Sequence, residues 1–197
     1  LKGKSHYFRR EYDSAVSIFS QLIQEEGFDL EARYWLALCK WRDFKPQPAI
    51  NDLEALISKV ESDEFKSRIF LSLGEIYLSI DNSEYAYDNF DKGANLSKNR
   101  LLREEVYFQI AEISFQNTDF DKALDSYQKV LSNTISITRI QDSNLKIVQI
   151  YRLRGDLEKS ATKIQELLID EDFNSIKAEL DLELTKIEFD RGKIDFA

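Results

Sequence analysis

Five small residues, each followed four positions later by a bulkier apolar one, recur down the chain at nearly constant spacing. They are Ala15 with Phe19, Ala49 with Leu53, Ala86 with Phe90, Ala123 with Tyr127 and Ser160 with Ile164. The intervals between the small residues are 34, 37, 37 and 37, and one further step of 37 reaches Ala197. A period of this size marks an array of stacked repeats, in which no unit buries its own apolar face and neighbours must cover it. Length therefore does not count domains here, and the whole of residues 1–197 reads as one array.

The local signals agree on helix. Only two Pro and six Gly interrupt 197 residues, and the apolar positions recur at three and four rather than at two, so no strand is expected. Each period splits into a first and a second helix. First helices are predicted near 29–43, 64–80, 101–117, 138–154 and 175–191, and second helices near 13–25, 47–60, 83–97, 120–132 and 157–169. Short polar turns join them: Asp43 to Pro46, Asp81 to Ser83, Asn117 to Asp119, Gly155-Asp156 and Arg191 to Lys193. Gly tolerates the left-handed residue that ends one helix, Asp, Ser or Asn caps the next, and Pro46 fits a first turn that has no use for its N–H. The β-prone stretch 133–137 reads as a linker between repeats.

Several function classes lack their chemistry. The net charge of −9 opposes a phosphate backbone, so nucleic acid is not an expected partner. No run of about 18 apolar residues is present to enter a membrane. One histidine, His6, and one cysteine, Cys39, cannot assemble a metal site of ordinary ligand count, and Cys39 lies in an apolar helix that suits a small core residue. There is no phosphate-cradling Gly-rich loop and no nucleophile elbow. Adjacent acids such as Glu25-Glu26 and Glu104-Glu105 point in different directions on a helix, away from shared acid–base work. Neither a catalytic centre nor a cofactor is expected. The cluster Lys98, Arg100 and Arg103 reads as a solvated turn. No methionine occurs, so residue 1 is not expected to be a native start.

The third unit, with Phe70, Leu73-Gly74, Tyr77, Ala86 and Phe90, resembles the tetratricopeptide repeat, a helix hairpin carrying these residue types at these offsets. The second unit adds Leu36-Ala37, Ala49 and Leu53, and the fourth adds Tyr107, Ile110-Ala111, Ala123 and Tyr127. The fifth carries Ile147, Tyr151, Ser160 and Ile164, with Val148 where a small residue is usual. The resemblance implies an all-α fold, a right-handed α-solenoid of stacked antiparallel helix hairpins. It divides the chain into a partial repeat 1–27, repeats 30–65, 67–102, 104–139 and 141–175, and a partial repeat 178–197. The repeats of 37 depart from the usual 34 by extra residues in the helices or loops.

The same resemblance implies where a partner binds, along the inner face formed by first helices. The corresponding positions in the second unit are Glu31, Tyr34, Leu38, Trp41 and Arg42, and in the third Arg68, Leu71, Glu75, Leu78 and Ser79. The fourth unit supplies Glu105, Phe108, Glu112, Phe115 and Gln116, and the fifth Asp142, Leu145, Gln149, Arg152 and Leu153. Tyr34, Trp41, Phe108 and Phe115 are the expected aromatic anchors. Glu75, Glu105, Glu112 and Asp142 are expected to favour Lys or Arg on the ligand. The Lys and Asn pattern of family members that clamp acidic chaperone tails is missing, since the ninth positions hold Lys4, Leu38, Glu75, Glu112, Gln149 and Lys186.

The expected function is thus a non-catalytic scaffold that binds a peptide or helical segment bearing apolar anchors and some basic residues. Two alternatives remain at this point: a structural module that self-associates through its repeat ends, and the regulatory array of a larger multidomain protein.

Overall fold

The computed structural model describes residues 2–25 and 27–192. The step to Ala197, the end of the last partial repeat, Glu26 of the acidic pair and Lys193 of the last turn lie outside these residues. Among the described residues there are only helices, turns and connecting segments. The chain divides into two compact units, Leu1–Lys98 and Asn99–Ala197.

The first unit holds three antiparallel hairpins: α1 (Lys2–Phe8) with α2 (Tyr12–Leu22), α3 (Asp29–Arg42) with α4 (Pro46–Ile57), and α5 (Asp63–Ser79) with α6 (Ser83–Leu96). The second unit holds α7 (Arg100–Gln116) with α8 (Phe120–Asn133) and α9 (Ile137–Leu153) with α10 (Leu157–Ile169). A 3-10 turn at Glu171–Ile176 then leads into α11 (Lys177–Asp190). The expected helices are all present. The 3-10 turn was not expected; it is started by the Asp170 side chain, which accepts from the Asp172 amide, and it carries Phe173 into the core.

The extra residues of the longer period lie in the first helices. The interval of 34 spans α3, which has 14 residues, whereas the intervals of 37 span α5, α7 and α9, which have 17 each. Three added residues make nearly one helical turn, so the same face still meets the second helix.

Each hairpin turns through one left-handed residue at the same place in the repeat. Arg10, Phe44, Asp81, Thr118 and Gly155 have φ of 64°, 56°, 58°, 60° and 80°, and Gly192, which follows α11, has φ of 65°. Around the second of these the Phe44 amide donates to Trp41 O and the Lys45 amide to Lys40 O, both at 3.0 Å. That is the Schellman arrangement, which satisfies the last carbonyls of the first helix. The turn at Asp119 behaves as expected, with its carboxylate accepting from the Lys122 amide at 3.2 Å, and Pro46 occupies the first turn of α4.

Packing within each hairpin follows the small-against-large rule. A methyl placed on Gly74 would lie 2.5 Å from the Phe90 ring, and one on Gly3 would lie 2.8 Å from Phe19. In both cases the glycine is 16 residues before the ring that uses its space. The same offset joins Ala37 to Leu53, Ala111 to Tyr127 and Val148 to Ile164, and all six are buried. The unusual Val148 is thus set against a smaller partner, and Ser160 donates to its carbonyl at 2.9 Å. Around these contacts unit one builds a core that includes Trp35, Ile50, Leu53 and Ile69, and unit two buries Tyr127, Ile150, Ile164 and Leu180.

Candidate functional site

Within each unit, successive first helices touch through side chains about one repeat apart. In unit one, Tyr34 Oη and Ser72 Oγ are hydrogen-bonded at 2.8 Å, and Trp41 Nε1 donates to Ser79 Oγ at 3.1 Å, each pair 38 residues apart. Glu31 on α3 gathers three donors: Lys4 Nζ of α1 at 2.7 Å, Trp35 Nε1 at 3.0 Å and Arg68 Nη2 of α5 at 2.7 Å. Burial pushes the Glu31 carboxyl pKa up, but these donors together outweigh it and hold it below the usual glutamate value.

Unit two repeats the device with other residues. Arg139 of α9 reaches Glu105 at 2.9 Å and the buried Glu104 at 3.5 Å, both on α7. Arg152 of α9 donates to Glu183 at 3.0 Å and to Asp190 at 3.1 Å on α11, while Gln149 donates to Glu183 at 3.3 Å. These cross-repeat pairs keep neighbouring first helices in register, so each unit presents their side chains as one ordered face.

The expected site residues of the two units fall into three groups. Tyr34 is only 7% exposed, wedged edge-on between Trp35 and Phe65, and burial raises its hydroxyl pKa. It supports the face from beneath. Glu105, Gln149 and Arg152 are engaged across repeats, and Glu112 accepts from the Tyr127 hydroxyl within its own hairpin, which with burial pushes that phenol well above its ordinary value. Those carboxylates therefore already meet donors of this chain.

The third group is left partly open to solvent: Trp41, Leu71, Leu78, Phe108, Phe115 and Leu145 are half-buried, and Arg42 and Glu75 are exposed. Leu71 leans on the backbone side of Gly93 in α6, where an added methyl would come within 2.8 Å of it. Arg42 lies over the Trp41 ring, 3.9 Å from its centroid, and its Nε donates to Tyr7 Oη at 3.1 Å. Lys146 covers Phe115 in the same manner at 4.3 Å. Glu75 reaches water yet is crowded enough by protein that desolvation raises its pKa, against the pull of the Arg42 charge.

Three features escaped sequence reasoning. Arg139 and Glu183 hold the face together but sit off the positions that the repeat pattern marks, and only the pairing of opposite charges about one repeat apart pointed to them. A cleft of about 860 Å³ also opens in unit one where α1, α3 and α5 end, between Phe8, Trp41, Phe44 and Ile80. In the basic cluster, Arg100 donates to the Asn133 carbonyl and Arg103 to its side chain at 3.1 Å, so both cap the end of α8.

Residues 104–133, which run through α7 and α8, match the family model described as tetratricopeptide repeat. That segment is a tetratricopeptide repeat. The fold of the chain is similar to a crystal structure of MamA, at 15% identity, with 98% of this chain and 97% of that one covered and a TM-score of 0.57. A tetratricopeptide repeat protein from Parabacteroides merdae is similar at 15% identity over 98% of this chain and 72% of that one, with a TM-score of 0.59. The C-terminal part of a repeat-containing protein from Cytophaga hutchinsonii gives 17% identity, 97% and 80% coverage, and a TM-score of 0.58. At these identities the likeness is one of fold. No curated protein sequence matches the chain. No helix among the described residues is long and apolar enough to cross a membrane.

Proposed function

We propose that this chain is a tetratricopeptide-repeat protein and a non-catalytic scaffold that holds a peptide or helical segment of a partner protein against its first helices. The observation that carries this reading is the cross-repeat lacing: Tyr34 to Ser72, Trp41 to Ser79, Glu105 to Arg139 and Arg152 to Glu183. Within each unit, lacing holds half-exposed apolar side chains at fixed spacings before any ligand arrives, which lowers the ordering cost of binding. Trp41, Leu78, Phe108, Phe115 and Leu145 supply anchors, and aromatic anchors set in a rigid surface carry most of the energy in peptide recognition.

Charge on the face refines the partner. Glu105 is paired internally, whereas Glu75 and Asp142 are exposed and form no salt bridge among the described residues, so these two are the positions that favour Lys or Arg on the ligand. The test is affinity capture from native lysate with the parent chain, Trp41→Ala and Phe108→Ala, each checked for unchanged helical signal. The reading expects a partner retained by the parent and lost from at least one variant. Equal retention by all three removes the face from the binding site.

A further inference from the structure

The cleft at the end of unit one has walls unlike the rest of the chain. The sequence holds 36 acidic against 27 basic residues, yet among the described residues the only charged side chains lining this cleft are Arg10 and Arg42. Its apolar walls are exposed: Phe8 is 72% accessible, Phe44 94% and Ile80 40%.

Phe44 is the informative residue. It occupies the left-handed turn position, with φ of 56°, which corresponding turns fill with Arg10, Asp81, Thr118, Gly155 and Gly192; Asn or Gly adopts it with least strain, and Phe44 is the one large apolar side chain among the six. A phenyl ring there adds backbone strain and leaves apolar surface in water, and neither helps the fold. Residues held this way gather where a surface has work outside the folded core. The ring stands beside Trp41, whose face is covered by the Arg42 guanidinium.

The charges available to a ligand are cationic. Schellman bonds at Phe44 and Lys45 occupy the helix-end carbonyls of α3, and Arg42 spends only its Nε on Tyr7, leaving its terminal nitrogens for a carboxylate. Glu75 acts on Arg42 from α5 but does not line the cleft.

We propose that this cleft docks a partner polypeptide segment in which an aromatic or aliphatic side chain is flanked by carboxylates. The apolar side chain enters between Phe8, Trp41 and Phe44, and the flanking carboxylates meet Arg10 and Arg42. This goes beyond the scaffold reading: it concerns the turn edge of unit one and holds whether or not the face of unit two is occupied.

The test is fluorescence anisotropy with three labelled hexapeptides, titrated to millimolar protein. One has a Phe-Leu centre flanked by Asp and Glu, one the same centre flanked by Lys and Arg, and one an acidic sequence with a Ser-Gly centre. The first is expected to bind at least tenfold more tightly than the other two, and less tightly as salt is raised from about 50 to about 500 mM. Phe44→Asn keeps the turn and is expected to melt no lower than the parent while losing at least tenfold in affinity. Arg10→Glu, on an exposed turn, is expected to lose a similar factor, whereas Phe108→Ala in unit two leaves this probe's affinity unchanged. No binding of the acidic apolar probe, equal binding of the basic one, or full affinity in Phe44→Asn overturns the proposal. Sedimentation showing a dimer that Phe44→Asn abolishes assigns the cleft to a second copy of the chain and overturns it equally.

Discussion

Arg139 closes over Phe108, its guanidinium carbon 3.8 Å from the ring centroid, while the same guanidinium holds Glu105 and Glu104 on α7. One side chain thereby joins two successive first helices by charge, hydrogen bonding and ring contact. Removing it leaves Glu104, which is buried, without its counterion. Arg139→Ala is expected to destabilise unit two by about 1 to 3 kcal/mol, less than for a fully buried pair because Arg139 keeps some exposure. Arg139→Lys restores only part of this, since an ammonium lacks the planar stacking surface. Urea midpoints of the three proteins check it; an unchanged midpoint in the alanine variant rejects the clasp as a source of stability.

The hairpin packing makes a size-specific prediction. Gly74→Ala drives a methyl to 2.5 Å from the Phe90 ring, which is 4% exposed and has little room to retreat. Overpacking of this kind costs about 1 to 3 kcal/mol, and Ala86→Leu and Ala123→Leu, at fully buried positions, should fall in the same range. The melting temperature reports it, and a second change, Phe90→Leu, should recover part of the loss in Gly74→Ala.

The turns separate backbone strain from packing. Gly155 has φ of 80° and open space where a side chain would stand, so Gly155→Ala loses only what the left-handed conformation demands, about 1 to 2 kcal/mol. Thr118, β-branched at φ of 60°, pays that strain already, and Thr118→Gly should gain about 0.5 to 1 kcal/mol. Chemical denaturation of both variants decides the matter: shifts of the same sign would show that the turns do not set these energies.

Glu31 and Glu75 should respond to pH in opposite senses. The folded-state pKa of Glu31 is lowered, so its contribution is present above the ordinary glutamate range and is lost as pH falls through the depressed value. The folded-state pKa of Glu75 is raised, so its contribution is present below the ordinary range and is lost as pH rises through the raised value. At neutral pH Glu31→Gln is therefore expected to lower the melting temperature and Glu75→Gln to raise it. Both differences should shrink as the pH is taken below about 4. Thermal melts across pH 3 to 8 would show otherwise by parallel curves.

Cys39 supplies a probe of opening. It is 2% exposed, and burial pushes its thiol up to about 11. In native protein at pH 8 a thiol-specific colorimetric reagent should react far more slowly than in urea, because access and thiolate are both suppressed. Reaction at the unfolded rate without denaturant would place Cys39 at the surface.

Much of this was legible in the linear chain because a repeat states its pattern several times. Ala86 and Phe90 fit many folds as a single pair, but the same pair at Ala49, Ala123 and Ser160 leaves few arrangements that bury every copy. Helix identities, hairpin order and the small-against-large contacts follow from that, and so does the turn at Asp119. The face was harder. Tyr34 and Trp41 carry similar marks in the sequence, yet one ends beneath the surface and the other half in water, because burial depends on the helix laid alongside one repeat later.

The sequence by itself determined the helical period and the hairpins, since these rest on local spacing that recurs in each repeat. Only the tertiary structure decided which carboxylates are spent on the chain's own arginines, where the three added residues lie, and that Phe44 stands strained at the rim of a cationic cleft. Those outcomes depend on distances between residues far apart in sequence, which spacing along a chain does not encode.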